Sequence, residues 1–101
     1  MAHTIEDIKN LVAEFSDITF GTHRPFTAPL HHLKKEVDEV IESGSILEYA
    51  DCLLLLLDSF RKRYPTHHTD WLIEACRAKL AICKSRKWGK ADDNGVIEHI
   101  S

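Results

Sequence analysis

Four acidic side chains have the types and spacing to do chemistry. They form two pairs, Glu36 with Glu39 and Glu48 with Asp51. A separation of three residues puts both members of a pair on one face of a helical turn. Two carboxylates about 6 Å apart repel by roughly 3 kcal/mol at an effective dielectric near 20, but by less than about 1 kcal/mol in open water. Four in one sheltered cleft raise one another's pKa values unless a cation joins them. Hard oxygens in this number suit Mg²⁺ or Mn²⁺, with coordination positions left for water and substrate phosphate. A di-iron carboxylate bundle needs two Glu-x-x-His motifs, and the sequence contains none. His32, four residues before Glu36, reads as a surface or supporting residue.

The elements that must position these acids are helices, because the apolar period is helical throughout. A first helix runs from about Ile5 to Phe15 or Ile18, capped by Thr4, with Ile5, Ile8, Leu11, Val12 and Phe15 as its apolar face. The stretch FGTHRPFTAP then reads as a loop long enough to be functional. Thr27 caps a second helix striped by Leu30, Leu33, Val37, Val40 and Ile41, and Ser43-Gly44 ends it. Ser45 with Glu48 has the form of a capping box for a third helix, which runs to about Arg63 before Tyr64-Pro65. That helix is apolar nearly all round, so its acids are expected away from open solvent. The short Ser-Gly-Ser connection makes helices two and three antiparallel neighbours, and the two acidic pairs can face each other. A fourth helix is expected from Asp70 to about Lys87, followed by a docked arm with a DNG turn.

Charge is distributed unevenly. Residues 1–60 hold 4 Lys/Arg and 11 Asp/Glu, net −7, whereas residues 61–101 hold 9 and 5, net +4. Between Arg77 and Lys90 there are six basic residues and no acidic one. Lys79, Cys83 and Arg86 share one face of the fourth helix, with Lys84 and Lys87 continuing the positive charge near its end. Such a face can hold phosphates that a metal cluster leaves unneutralised. Trp88 beside it can stack on a base or anchor the tail, the anchor being the simpler reading.

The whole composition narrows the class. At 101 residues the chain is one small domain, residues 1–101, for which oligomerisation is a live expectation. A net charge of −3 argues against general nucleic-acid binding. Three cysteines without a CxxC pair make neither a disulfide scaffold nor a zinc knuckle, and read as reduced, buried thiols. The opening MAHTIEDIKN lacks the pattern of a secretory signal, and the apolar run Cys52–Leu57 is too short to span a bilayer. A cytoplasmic protein without membrane partners is expected.

EVDE (Glu36 to Glu39), EYAD (Glu48 to Asp51) and KLAICKSR (Lys79 to Arg86) together resemble the all-α nucleoside triphosphate pyrophosphohydrolases, which include MazG and the dimeric dUTPases. More narrowly, FG…PLHHLKKEVDEVIE, LEYADCLLLLLD and RKW…DDNGVIEHI are similar to the phage-associated dATP/dGTP pyrophosphohydrolase (MazZ-like) branch, over about Phe20 to His99. The resemblance implies an all-α, four-helix MazG-like bundle with a C-terminal arm, completed as a dimer or tetramer. It also implies Mg²⁺-dependent cleavage of purine dNTPs to dNMP and pyrophosphate, serving nucleotide-pool control in an infected host's cytoplasm. Glu36, Glu39, Glu48 and Asp51 would hold two or more Mg²⁺ ions, with Mn²⁺ a possible substitute. By analogy Glu39 would also take the water's proton. Lys79 and Arg86, helped by Lys84 or Lys87, would grip the triphosphate, and Cys83 and Trp88 stand where base or sugar contacts are made. Two departures are visible: Lys35 precedes Glu36 where the family often has Glu, and Cys83 replaces the family's Asn. They leave open an alternative, a catalytically silent helical nucleotide-binding or assembly module of the same fold.

Overall fold

Residues 4–101 are described by a computed structural model. Its helices are α1 (Ile5–Phe20), α2 (Thr27–Ser43), α3 (Ile46–Arg63) and α4 (Asp70–Ser85), so the all-α reading holds. The chain divides into two compact units, the first ending at Thr69 and the second running Asp70–Ser101.

In the first unit, local chemistry sets the helix ends. Thr4 and Asp7 form a reciprocal capping box, the Asp7 N–H donating to Thr4 Oγ1 at 3.0 Å and the Thr4 N–H to Asp7 Oδ2 at 3.3 Å. α1 then continues to Phe20, past the expected Phe15 or Ile18, until Gly21 ends it. α2 begins at Thr27 itself, with Phe26 in the cap position and no side-chain cap. Thr27 is therefore a helical residue rather than the cap. The preceding loop is instead held by Ser59 Oγ, which donates to the Phe26 carbonyl at 2.7 Å. Gly44 ends α2 in the left-handed region (φ 63°), and its N–H donates to the Val40 carbonyl at 2.8 Å. Ser45 caps α3 by accepting from the Leu47 N–H at 3.2 Å, without the reciprocal half that a capping box with Glu48 would add. α3 packs against both α2 and α1.

The seam between α1 and α3 is polar. Ser16 Oγ donates to Asp58 Oδ2 at 2.8 Å, and Arg61 pairs with Asp58 at 2.7 Å and Asp17 at 2.9 Å. Lys9 pairs with Glu6 at 2.8 Å and donates to the His67 carbonyl at 3.2 Å, while the Thr69 N–H donates to Glu6 at 2.9 Å. Lys9 and Ser16 are thus the buried residues of α1, whereas Leu11 and Phe15 of its expected apolar face are exposed. Leu57, 1 % exposed, is the one buried large apolar residue among those described. The expectation that α3 is covered all round is not met within one chain: Ile46 and Leu47 are 83 % and 73 % exposed.

The second unit contains α4, two residues shorter than the expected Lys87 end, and the arm. The arm folds back on itself at an antiparallel bridge between Trp88 and His99, flanked by bonds from the Gly89 N–H to the Glu98 carbonyl (2.9 Å) and the Ile100 N–H to the Lys87 carbonyl (2.8 Å). Asp92 Oδ1 accepts from the Asn94 and Val96 N–H groups, and Gly95 takes φ 81°, which makes the turn at DNG. No helix of the described residues is long and apolar enough to cross a membrane.

Candidate metal and nucleotide site

Packing α2 against α3 across the short Gly44-Ser45 connection brings the two acidic pairs together. Glu36, Glu39 and Glu48 each offer a carboxylate oxygen within 4.8 Å of the others. Glu39 is exposed, and Glu36 and Glu48 are half-buried. Asp51 lies one turn after Glu48, outside that close group, yet its charge acts on Glu48. Three of the four expected ligands therefore converge, with the fourth at their border.

The electrostatics are those of crowded anions. Glu36 is pushed above the usual carboxylate range first by its contact with Glu39, then by shielding from water and by the Glu39 charge, with His32 opposing. Glu48 is pushed up in the same order by Glu39, by shielding, and by the charges of Glu39, Asp51 and Glu36. His32 Nε2 lies 3.1 Å from Glu36 Oε1, which gives it the supporting place read from the sequence. Glu36 Oε2 and Glu48 Oε2 are both shielded from solvent without a hydrogen-bond partner. Shielded carboxylate oxygens lacking a donor are costly, and a divalent cation satisfies them. The donor set, all hard oxygen, fits Mg²⁺ or Mn²⁺. Cys52 sits beside the cluster, where burial and the neighbouring carboxylates push its thiol up, so it stays protonated and inert. Cys76, by contrast with the expected buried thiols, is exposed.

A cavity of about 310 Å³ opens from this cluster along α1 and α3. Glu36 and Asp51 line it, as do Val12, Phe15, Leu54 and Leu55. Ser16, Asp58, Phe20 and Arg24 also reach it. Arg24 is a functional candidate absent from the sequence reading. Its only mark there is being a cation in an acidic half, on a loop between a glycine and a proline.

The basic candidates belong to the second unit. Lys79, Lys84 and Cys83 are on α4, and Arg86, Lys87 and Trp88 follow directly after it. Trp88 is an anchor: its indole N–H donates to the Cys83 carbonyl at 3.0 Å, and its ring meets His99 edge-on at 6.1 Å.

Both the sequence and the fold match known proteins. A family model described as dATP/dGTP pyrophosphohydrolase matches residues 8–101. A dATP/dGTP diphosphohydrolase of cyanophage S-2L is 42 % identical over 71 residues, which cover 67 % of this chain. The match spans 62 % of that relative's length. A solved structure, the cyanophage S-2L MazG-like pyrophosphohydrolase bound to dGDP and three catalytic Mn²⁺ ions per active site, superposes with a TM-score of 0.77. It is 32 % identical, and the match covers 100 % of this chain and 97 % of that one.

Proposed function

The chain belongs to the dATP/dGTP pyrophosphohydrolase family, and from that premise we propose that it is a divalent-metal-dependent enzyme. It hydrolyses purine deoxynucleoside triphosphates to the monophosphate and pyrophosphate. One observation carries the proposal: three carboxylates converge within 4.8 Å, and two of them keep a shielded oxygen without a partner.

Glu36, Glu39, Glu48 and Asp51 hold the ions, two or more of them, with Mg²⁺ the resident metal and Mn²⁺ a substitute. Divalent ions so held neutralise phosphate charge and lower the pKa of an attacking water. Glu39, the exposed member of the cluster, accepts that water's proton. The oxygen adds to the α-phosphorus while the bond to the oxygen bridging the α- and β-phosphorus breaks, and pyrophosphate leaves with the electron pair. Lys79 and Arg86, with Lys84 and Lys87, grip the phosphates, and Cys83 and Trp88 border sugar or base. The family domain is the whole stretch 1–101. It works as a homo-oligomer, dimer or tetramer, in the cytoplasm, where its nucleotide substrates are.

The test is product analysis. With Mg²⁺ or Mn²⁺ the protein should convert dGTP or dATP into monophosphate plus pyrophosphate. Asp51→Asn and Glu48→Gln should each lower the rate by about two orders of magnitude and weaken Mn²⁺ uptake in calorimetry. Orthophosphate plus a diphosphate would reject the reaction, and nucleotide binding without product would favour the silent module.

A further inference from the structure

His32 stands on α2 one turn before Glu36, and the two side chains share a face of the helix. The imidazole Nε2 lies 3.1 Å from Glu36 Oε1. An ionised carboxylate can only accept, so when Glu36 faces a cation it is Nε2 that carries the hydrogen and donates it. That bond fixes the tautomer of the ring together with the direction of the acid. His31, which is exposed, points about 100° away around the helix and takes no part in it. The His32 side chain is 53 % exposed and that of Glu36 17 %. The ring therefore does not fill the interior; what it contributes is the bond.

The two oxygens of Glu36 are consequently unlike. Oε1 is engaged by His32, whereas Oε2 is shielded from solvent and has no hydrogen-bond partner. Glu39 and Glu48 each bring a carboxylate oxygen within 4.8 Å of one on Glu36. Like charges at that distance repel, and without an anchor the Glu36 side chain would gain by swinging out toward water. Glutamate also has several rotatable bonds, and freedom that must be lost when an ion binds weakens the binding. A carboxylate held through one oxygen escapes both effects, because it stays in the cluster with its other oxygen already aimed. Outer partners of this kind commonly orient the groups that ligate metals.

We propose that His32 is a positioning residue of the metal centre: holding Glu36 through Oε1, it keeps that acid beside Glu39 and Glu48 and presents Oε2 to the divalent ion. The inference rests on the metal-dependent reading above and deepens it by naming what aims one of the ligands. His32 acts through Glu36, so its effect belongs to ion affinity and reaches turnover only by way of the ion.

The experiment is Mn²⁺ calorimetry on the metal-free full chain, wild type against His32→Ala, His32→Gln and His31→Ala. His32→Ala should weaken Mn²⁺ uptake by about tenfold to a hundredfold, the usual effect of removing such a partner, while its urea midpoint without metal stays at the wild-type value. His32→Gln, whose amide N–H also reaches a glutamate one turn on, should recover most of the affinity. His31→Ala should bind as wild type does. In dGTP turnover, His32→Ala should be slow at limiting Mn²⁺ and regain the wild-type kcat and KM at saturating Mn²⁺. Wild-type Mn²⁺ affinity in His32→Ala would overturn the assignment, and so would a His32→Gln variant as weak as His32→Ala. A raised KM for dGTP that persists at saturating Mn²⁺ would overturn it too, by making His32 a substrate contact. A wild-type protein that takes up Mn²⁺ yet turns over no dNTP defeats the reaction reading instead, and the calorimetry alone still decides the role of His32.

Discussion

Arg61 shows how one side chain governs a seam. It is raised above its ordinary range because the Asp17 and Asp58 carboxylates outweigh the cost of its burial. Asp17 is held below the usual range, chiefly by its hydrogen bond to Arg61. Asp58 is 3 % exposed, so removing the cation leaves a buried anion uncompensated. Arg61→Met should lower the unfolding free energy by about 3 kcal/mol or more. Ser16→Ala, which deletes one hydrogen bond to the same carboxylate, should cost only about 1–2 kcal/mol. Urea titration of both variants checks the order. Asp58 and Asp51 are both acids of one helix, yet they have different fates: Arg61, one turn on, neutralises the former, and the latter borders the carboxylate cluster, where its charge acts on Glu48.

At the scale of elements, two connections hold the helices of the first unit: the turn at Gly44 between α2 and α3, and a clamp at the start of α1. Gly44 takes φ 63° with open space where a Cβ would stand, so Gly44→Ala introduces backbone strain without a clash. It should destabilise by about 1 kcal/mol, read as a lower thermal midpoint. The second connection is the clamp of Glu6 on Thr69 and Lys9. Burial raises Glu6, but hydrogen bonds from Lys9 and Thr69 and the Lys9 charge overcome it, leaving a pKa of about 2 against the ordinary 4.5. A folded-state pKa below the unfolded one contributes stability that is complete above about 4.5 and disappears as pH falls toward about 2. Glu6→Gln should therefore melt lower than wild type at pH 7, and the difference should close between about pH 4.5 and 2. Melting curves at stepped pH measure it. The helices themselves were legible from the sequence because caps and apolar period are local. The polar α1 seam was not, because Lys9 and Ser16 become interior only once α3 docks.

For the molecule as a whole, exposed apolar surface is the dominant fact. Ile18, Ile41, Ile46 and Leu47 are each more than two-thirds exposed in the single chain. Monomeric proteins rarely leave contiguous apolar patches larger than a few hundred Å² to water, and Ile46 and Leu47 are adjacent at the start of α3. The proposed homo-oligomer accounts for it, and sedimentation at micromolar concentration should give two or four times the 11.6 kDa chain mass. The melting temperature should also rise with protein concentration, as it does when folding and association are linked. A mass of one chain with a concentration-independent midpoint would reject the oligomer.

The sequence by itself determined the helical class, the turns at Gly44 and Tyr64, the acidic pairs, and through its motifs the family. All of these are written in neighbours three or four residues apart, where helix geometry leaves little freedom. Only the tertiary structure decided that Glu36, Glu39 and Glu48 converge while Asp51 borders them, and that Asp58 is spent on Arg61. It alone joined Arg24, Phe20 and Leu55 around one cavity. Those facts depend on how helices dock, and docking is set by the sum of many side-chain contacts distant in sequence, which no local spacing encodes.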